Sequence, residues 1–147
     1  MVVRAAPETI LLVEDDPAHA ELIRLNLEIG NIPQEIVHVS DGEQALDFIE
    51  RRGEFQTRPR SALLIVLDLR LPRLDGLEFL RRLNSRQDSC QPPVLVFAGS
   101  DDPLVISQCY ELGCSLYFPK PSLFEEFIAT VERLAGLIQA VSVPANL

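Results

Sequence analysis

No run of apolar residues in this chain approaches the ~20 needed to cross a bilayer as a helix, so a membrane anchor is not expected. Residues 1–7 are too few and too mixed for a secretory signal. Cysteine is sparse: Cys90, Cys109 and Cys114 form no CxxC pair and leave one thiol over under any pairing, which points to free thiols in a reducing compartment. Positive charge is scarce too, with 13 lysines and arginines against 22 aspartates and glutamates. The resulting formal net charge of -9 repels nucleic-acid phosphates, so direct DNA binding is not expected. Internal repeats, low-complexity tracts and linkers are also missing. What remains is 147 residues, 47% hydrophobic and 24% charged, an ordinary composition for one domain with a sizeable core and a cytoplasmic location.

Short apolar runs mark the strands. Residues 9–13 read Thr-Ile-Leu-Leu-Val, 62–67 Ala-Leu-Leu-Ile-Val-Leu, 94–97 Val-Leu-Val-Phe, and 116–118 are a shorter stretch. Continuous apolarity without alternation suits strands covered by helices on both faces. Residues 34–39 alternate, which places them at a sheet edge. Helical periodicity predicts helices over 18–29, 43–52, 77–86, 103–112 and 123–138, the last carrying Phe124, Phe127, Ile128, Val131 and Leu134 on one side. Strand and helix thus alternate five times. That rhythm predicts an α/β fold with a parallel sheet between two helical layers.

Three polar signals sit at predicted strand ends: Glu14-Asp15-Asp16, Asp68 and Lys120-Pro121. In open α/β sheets the carboxyl ends of the strands share one crevice, where ligands bind. Plainer readings exist for each. Asp16 before Pro17 reads as a helix N-cap followed by proline at the first helical position. Capping does not account for Glu14 and Asp15, whose crowding costs energy unless a cation neutralises them. Asp68 ends the most apolar strand, where a purposeless carboxylate would be a poor choice. Lys120 alone would pass for a surface lysine; its place opposite the carboxylates gives it weight.

These residue types suit one chemistry. Mg²⁺ takes oxygen ligands in octahedral geometry, commonly one or two carboxylates plus phosphate oxygens. Asp15 and Asp68 supply carboxylates, and the backbone carbonyl two residues past Asp68 supplies another oxygen. Asp68 is then the candidate nucleophile for an aspartyl-phosphate, with Lys120 as the compensating charge.

With Ile10-Leu-Leu-Val-Glu-Asp-Asp16, Val66-Leu-Asp-Leu-Arg-Leu-Pro-Arg-Leu-Asp-Gly76 and Tyr117-Phe-Pro-Lys-Pro121 in order, the chain resembles the receiver domains of bacterial two-component response regulators. The resemblance implies a flavodoxin-like, doubly wound five-stranded parallel sheet of order 2-1-3-4-5 over residues 9–138, with an extension at 1–8 and a tail at 139–147. It implies phosphoryl transfer from a sensor histidine kinase to Asp68 with Mg²⁺, and no enzymatic activity beyond self-phosphorylation and autodephosphorylation. It assigns Asp15 and Asp68 as metal carboxylates, Glu14 acting through water, and Arg70 contributing its backbone carbonyl. Lys120 would pair with the phosphoryl or with Asp68, followed by a cis bond before Pro121. Tyr117 falls at the aromatic switch position.

One position departs from the family pattern. The fourth strand ordinarily ends in a threonine or serine that hydrogen-bonds the phosphoryl; here that residue is Ala98, followed by Gly99 with its backbone N–H and open space. The coupling of a hydroxyl to Tyr117 is therefore in question. Tyr-x-x-Lys-Pro-Ser, the phenylalanine-rich last helix and the long region 41–55 are similar to stand-alone regulators paired with phytochrome-type kinases. That subfamily implies a homodimer through the fourth helix, fifth strand and fifth helix, with Phe118, Pro119, Phe124 and Phe127 as candidates for the face. No output domain is expected after the last helix. Two other readings are open. A pseudo-receiver that binds partners without phosphorylation is favoured by Ala98, and a haloacid-dehalogenase-like phosphatase is disfavoured by Arg70, where that enzyme needs a second aspartate.

Overall fold

The computed structural model describes residues 3–30, 35–87 and 90–147; Gln34, the expected start of the second strand, lies outside them. Chain order runs β1 (Arg4–Ala5), β2 (Thr9–Val13), α1 (Pro17–Ile29), β3 (Glu35–Val39), α2 (Gly42–Glu50), a 3-10 turn at Gly53–Phe55, β4 (Leu63–Leu67), α3 (Gly76–Asn84), β5 (Val94–Ala98), α4 (Pro103–Glu111), β6 (Leu116–Pro119), α5 (Phe124–Ala140) and β7 (Val143–Pro144). Five strands pair in parallel in the order β3-β2-β4-β5-β6, the expected 2-1-3-4-5 when they are counted alone.

Every residue of β2, β4 and β5 is buried, as their unbroken apolarity requires. Successive side chains leave a strand on opposite faces. Ile10, Leu12, Leu64, Val66 and Phe97 pack with Ile23 and Leu27 of α1 and Val131 and Leu134 of α5. Leu11, Val13, Leu63, Ile65, Leu67 and Val96 pack with Phe48 of α2, Phe79 of α3 and Cys109 of α4 on the other face. The alternating β3 is one edge of the sheet and β6 the other.

Four aspartates start helices, which uses part of the acidic excess. Asp16, Asp41, Asp75 and Asp102 each accept a backbone N–H from the first turn of α1, α2, α3 and α4, an arrangement worth about 1 kcal/mol apiece. Asp16 therefore is the cap its Asp-Pro context indicated. Two glycines let the loop after β4 lie close: a Cβ on Gly76 would stand 2.6 Å from the Asp68 carbonyl oxygen, and one on Gly42 only 2.1 Å from that of Leu74.

Three details differ from expectation. Helix α5 continues to Ala140, and the segment after it packs rather than trailing: Val143 is buried, β7 pairs antiparallel with β1, and Leu147 N–H donates to the Ser61 carbonyl at 2.8 Å. No apolar periodicity marks such two-residue strands. Phe127 is not on an exposed face. It is 4% exposed in the core, with ring contacts to Phe97 and His19, whereas Phe124 is 65% exposed. A helix that covers a sheet must turn one side inward, and Phe127 shares that side with Val131 and Leu134. Among the described residues no helix is long and apolar enough to cross a membrane.

Candidate functional site

Parallel register brings the strand ends level. Val13 stands opposite Leu67 and Leu67 opposite Val96, while Ala98 pairs with Pro119. The residues just beyond therefore converge: Glu14 and Asp15 after β2, Asp68 after β4, Gly99 after β5 and Lys120 after β6. Backbone bonds hold these ends, from Asp68 N–H to the Val13 carbonyl at 2.9 Å and from Lys120 N–H to the Ala98 carbonyl at 2.7 Å. A cleft of about 920 Å³ opens above them, bordered by Asp15, Asp68, Arg70, Ala98, Gly99 and Lys120.

The charged core of the site is buried. Glu14 is 1% exposed, and the side chains of Asp68 and Lys120 are 10% and 8% exposed. Lys120 Nζ donates to Glu14 Oε1 and to Asp68 Oδ2 at 3.3 Å, and lies 3.0 Å from His19 Nδ1. The ammonium thus sets a positive charge between Glu14 and Asp68, while Asp15 lies outside its reach in the hydrogen bonds and ion pairs described. Asp68 is fixed at both oxygens, since Oδ1 accepts from its neighbour Leu69 N–H at 2.8 Å. Burial, reinforced by the contact with Asp68 and opposed by Lys120, pushes the Glu14 carboxyl up to about 8.

Glu14, Asp15 and Asp68 each bring an oxygen within 4.8 Å of the others, the geometry of a cation site. Hard carboxylate oxygens with one exposed member, Asp15, suit a cation that retains waters and admits a phosphate oxygen. Arg70 borders the cleft, as its assigned carbonyl role requires of its position. Gly99 has nothing within 4 Å of where a Cβ would be, so the space beside Ala98 is open.

Tyr117 points inward without a hydroxyl at position 98 to draw it. Its phenol donates to the Ser100 carbonyl at 2.6 Å, and burial pushes that phenol up to about 12, which keeps the donor proton in place. The peptide bonds of the described residues are all trans, so the cis bond expected before Pro121 is not formed. For proline the trans isomer is the lower by about 0.5–1 kcal/mol, and a Lys-Pro pair alone does not specify the other.

Sequence reasoning missed His19, and considered Ser100 only for its hydroxyl, as a substitute for the one absent at Ala98. His19 lies one turn beyond Asp15, and the i, i+4 spacing on the first turn of α1 was the available signal. Ser100 acts through its backbone carbonyl, which no residue type announces.

Residues 10–132 match the response regulator receiver domain family, and the chain belongs to it. Among its relatives is Response regulator Rcp1 of Synechocystis sp., 32% identical over 140 residues, which span 95% of each protein. The Mn²⁺-bound structure of Rcp1 aligns with a TM-score of 0.87 at 32% identity, over 95% of this chain and 100% of that one. The phosphorylated cyanobacterial phytochrome response regulator RcpA aligns at 0.85 and 31% identity, over 95% and 99%. Bacteriophytochrome response regulator RtBRR aligns at 0.73 and 36% identity, over 92% and 79%. The chain is a two-component receiver with phytochrome-associated homologues; Rcp1 is seen in a Mn²⁺-bound form, and the acidic cluster here has the oxygen donors to hold a divalent cation.

Proposed function

We propose that this receiver takes a phosphoryl group from a sensor histidine kinase onto Asp68 with Mg²⁺, in a phosphorelay linked to a phytochrome-type kinase. The observation that carries this reading is the convergence of Asp68, Lys120 and the Glu14-Asp15 pair in one cleft. The Asp68 carboxylate attacks phosphorus, a P–O bond forms as the P–N bond to the kinase histidine breaks, and the imidazole recovers its proton. Lys120, already against Asp68, compensates charge on the transferred group. Bound Mg²⁺ would be held by Asp15, Asp68 and the Arg70 carbonyl, with Glu14 acting through water, and would neutralise phosphoryl oxygens. Gly99 N–H and the space beside Ala98 would receive the phosphoryl.

The protein thus serves as acceptor and relay, working in the cytoplasm without nucleic acid. A homodimer through α4, β6 and α5 fits the exposure of Leu104, Leu116 and Phe124 on these elements and of Leu123 just before α5. Ala98 favours a second reading, a partner-binding receiver that is not phosphorylated. Intact mass after incubation with Mg²⁺ and a small phosphoryl donor separates the two: one phosphoryl is expected on the wild type and none on Asp68→Asn. An unmodified wild type, under conditions that modify another receiver, selects the second reading.

A further inference from the structure

At the end of the sheet away from Asp68, the last turn of α2, the starts of β4 and β5 and the docked tail enclose a cavity of about 330 Å³. Four of the chain's 13 basic residues line it, Arg51, Arg58, Arg60 and Arg86, against a single acidic side chain, Glu50, over an apolar floor that includes Leu63 and Pro92. In a protein of net charge -9 this is a local reversal of sign. Elsewhere five arginines sit against acids, Arg24 on Glu21, Arg52 on Asp47, Arg73 on Glu43, Arg81 and Arg82 on Glu78, while the scattered Arg4, Arg70 and Arg133 form no ion pair among the described residues. Here Arg86 pairs with Glu50 at 3.7 Å, but among the described residues no aspartate or glutamate side chain lies within 4.0 Å of Arg51, Arg58 or Arg60.

Helix capping explains one of the three. Arg58 donates from Nε to the Phe48 carbonyl at 2.7 Å and from Nη2 to the Leu147 carbonyl at 3.1 Å, with its guanidinium over the Phe48 ring. It thereby closes the C-terminal end of α2 and ties down the tail. Arg51 is not used up in this way. Its Nη2 donates to the Arg58 carbonyl at 3.0 Å, and its Nε is buried with no hydrogen-bond partner. Such a donor carries a desolvation penalty that the fold leaves uncompensated. Arg60 is exposed at the rim and forms no ion pair among the described residues. Like charges crowded this way repel, and burial together with Arg51, Arg60 and Arg86 pulls Arg58 below the ordinary arginine value.

We propose that this cavity is a second ligand site, for a small phosphate monoester held by Arg51 and Arg60 against the fixed positive wall of Arg58. A dianion answers several guanidiniums at once, and arginine's planar fork matches phosphate oxygens in pairs. The volume is at the small end of ligand pockets, of about 300–1,000 Å³, which suits a phosphorylated metabolite of a few carbons. Asn146 and Leu147 form part of the lining, so occupancy also braces the tail.

The test is titration of the full chain with inorganic phosphate and with glycerol 3-phosphate, in chelator at constant ionic strength, followed by ¹⁵N backbone shifts. One saturable site is expected, with shifts at Arg51, Arg60 and Asn146. Arg60→Gln should weaken it about tenfold without altering thermal stability in phosphate-free buffer, Arg51→Lys should weaken it several-fold, and Lys120→Gln should leave it intact. Failure to saturate at tens of millimolar, shifts centred on Lys120 and Asp68, indifference to Arg60→Gln, or equal binding of acetate would each overturn the assignment.

Discussion

Replacing Glu14 by glutamine should flatten the pH dependence of stability in the metal-free protein. Glu14 is 1% exposed, and burial raises its carboxyl from 4.5 to about 8 despite the Lys120 ammonium against it. A group that binds its proton more tightly when folded favours the folded state most fully below its unfolded value. That stability is lost as pH rises from about 4.5 through about 8. At 1.36 kcal/mol per pKa unit, the loss is on the order of a few kcal/mol. Urea unfolding followed by circular dichroism, between about pH 5 and pH 9 in chelator, measures it: wild type should slope downward and Glu14→Gln should not. The same proton competes with a cation. With its carboxyl raised so far by burial, Glu14 keeps its proton near neutral pH, so Mg²⁺ binding should be weaker at pH 7 than at high pH. A flat wild-type profile, a slope that survives in Glu14→Gln, or Mg²⁺ affinity constant from about pH 6 to 8 would refute this reasoning, because each requires Glu14 to be ionised beside Lys120.

Asp15→Ala should weaken Mg²⁺ binding about tenfold or more and slow phosphorylation while leaving circular dichroism unchanged, because Asp15 is exposed and supports no packing; unchanged affinity by calorimetric titration would remove it from the site. Gly76→Ala forces a methyl to 2.6 Å from the Asp68 carbonyl, so a loss of about 1–3 kcal/mol is expected in urea unfolding, together with slower acceptance of phosphoryl at the displaced Asp68. A homodimer should be present by light scattering at micromolar concentration without phosphoryl, and Ala98→Thr should increase the effect of phosphorylation by about 1.5–3 kcal/mol through the restored charge-assisted bond. Dimerisation of the wild type on phosphorylation alone would show that the Ser100–Tyr117 bond switches without that hydroxyl.

Much of this protein is legible in its primary structure because its strands are buried on both faces. Thr9–Val13 and Val94–Ala98 could be read nearly to the residue, since a continuous apolar run bounded by polar residues admits few other lengths. Asp-Pro and Asp-Gly signals set the helix starts through the chemistry of their own side chains. Asp15, Asp68 and Lys120 could be paired in advance because parallel topology leaves strand ends one place to meet.

Tertiary structure decided what depends on distance rather than order. Which side of α5 faces inward separated buried Phe127 from exposed Phe124, three residues apart on the same helix. The balance between burial and Lys120 at Glu14 is a matter of ångströms and dielectric, and the bond from Tyr117 to Ser100 uses a carbonyl that every residue possesses. The docked tail and the arginine cavity are contacts between residues nearly ninety positions apart, such as Arg58 and Leu147. Local sequence carries the energy of caps and strands, whereas these features draw on surfaces that exist only once the sheet has closed against its helices.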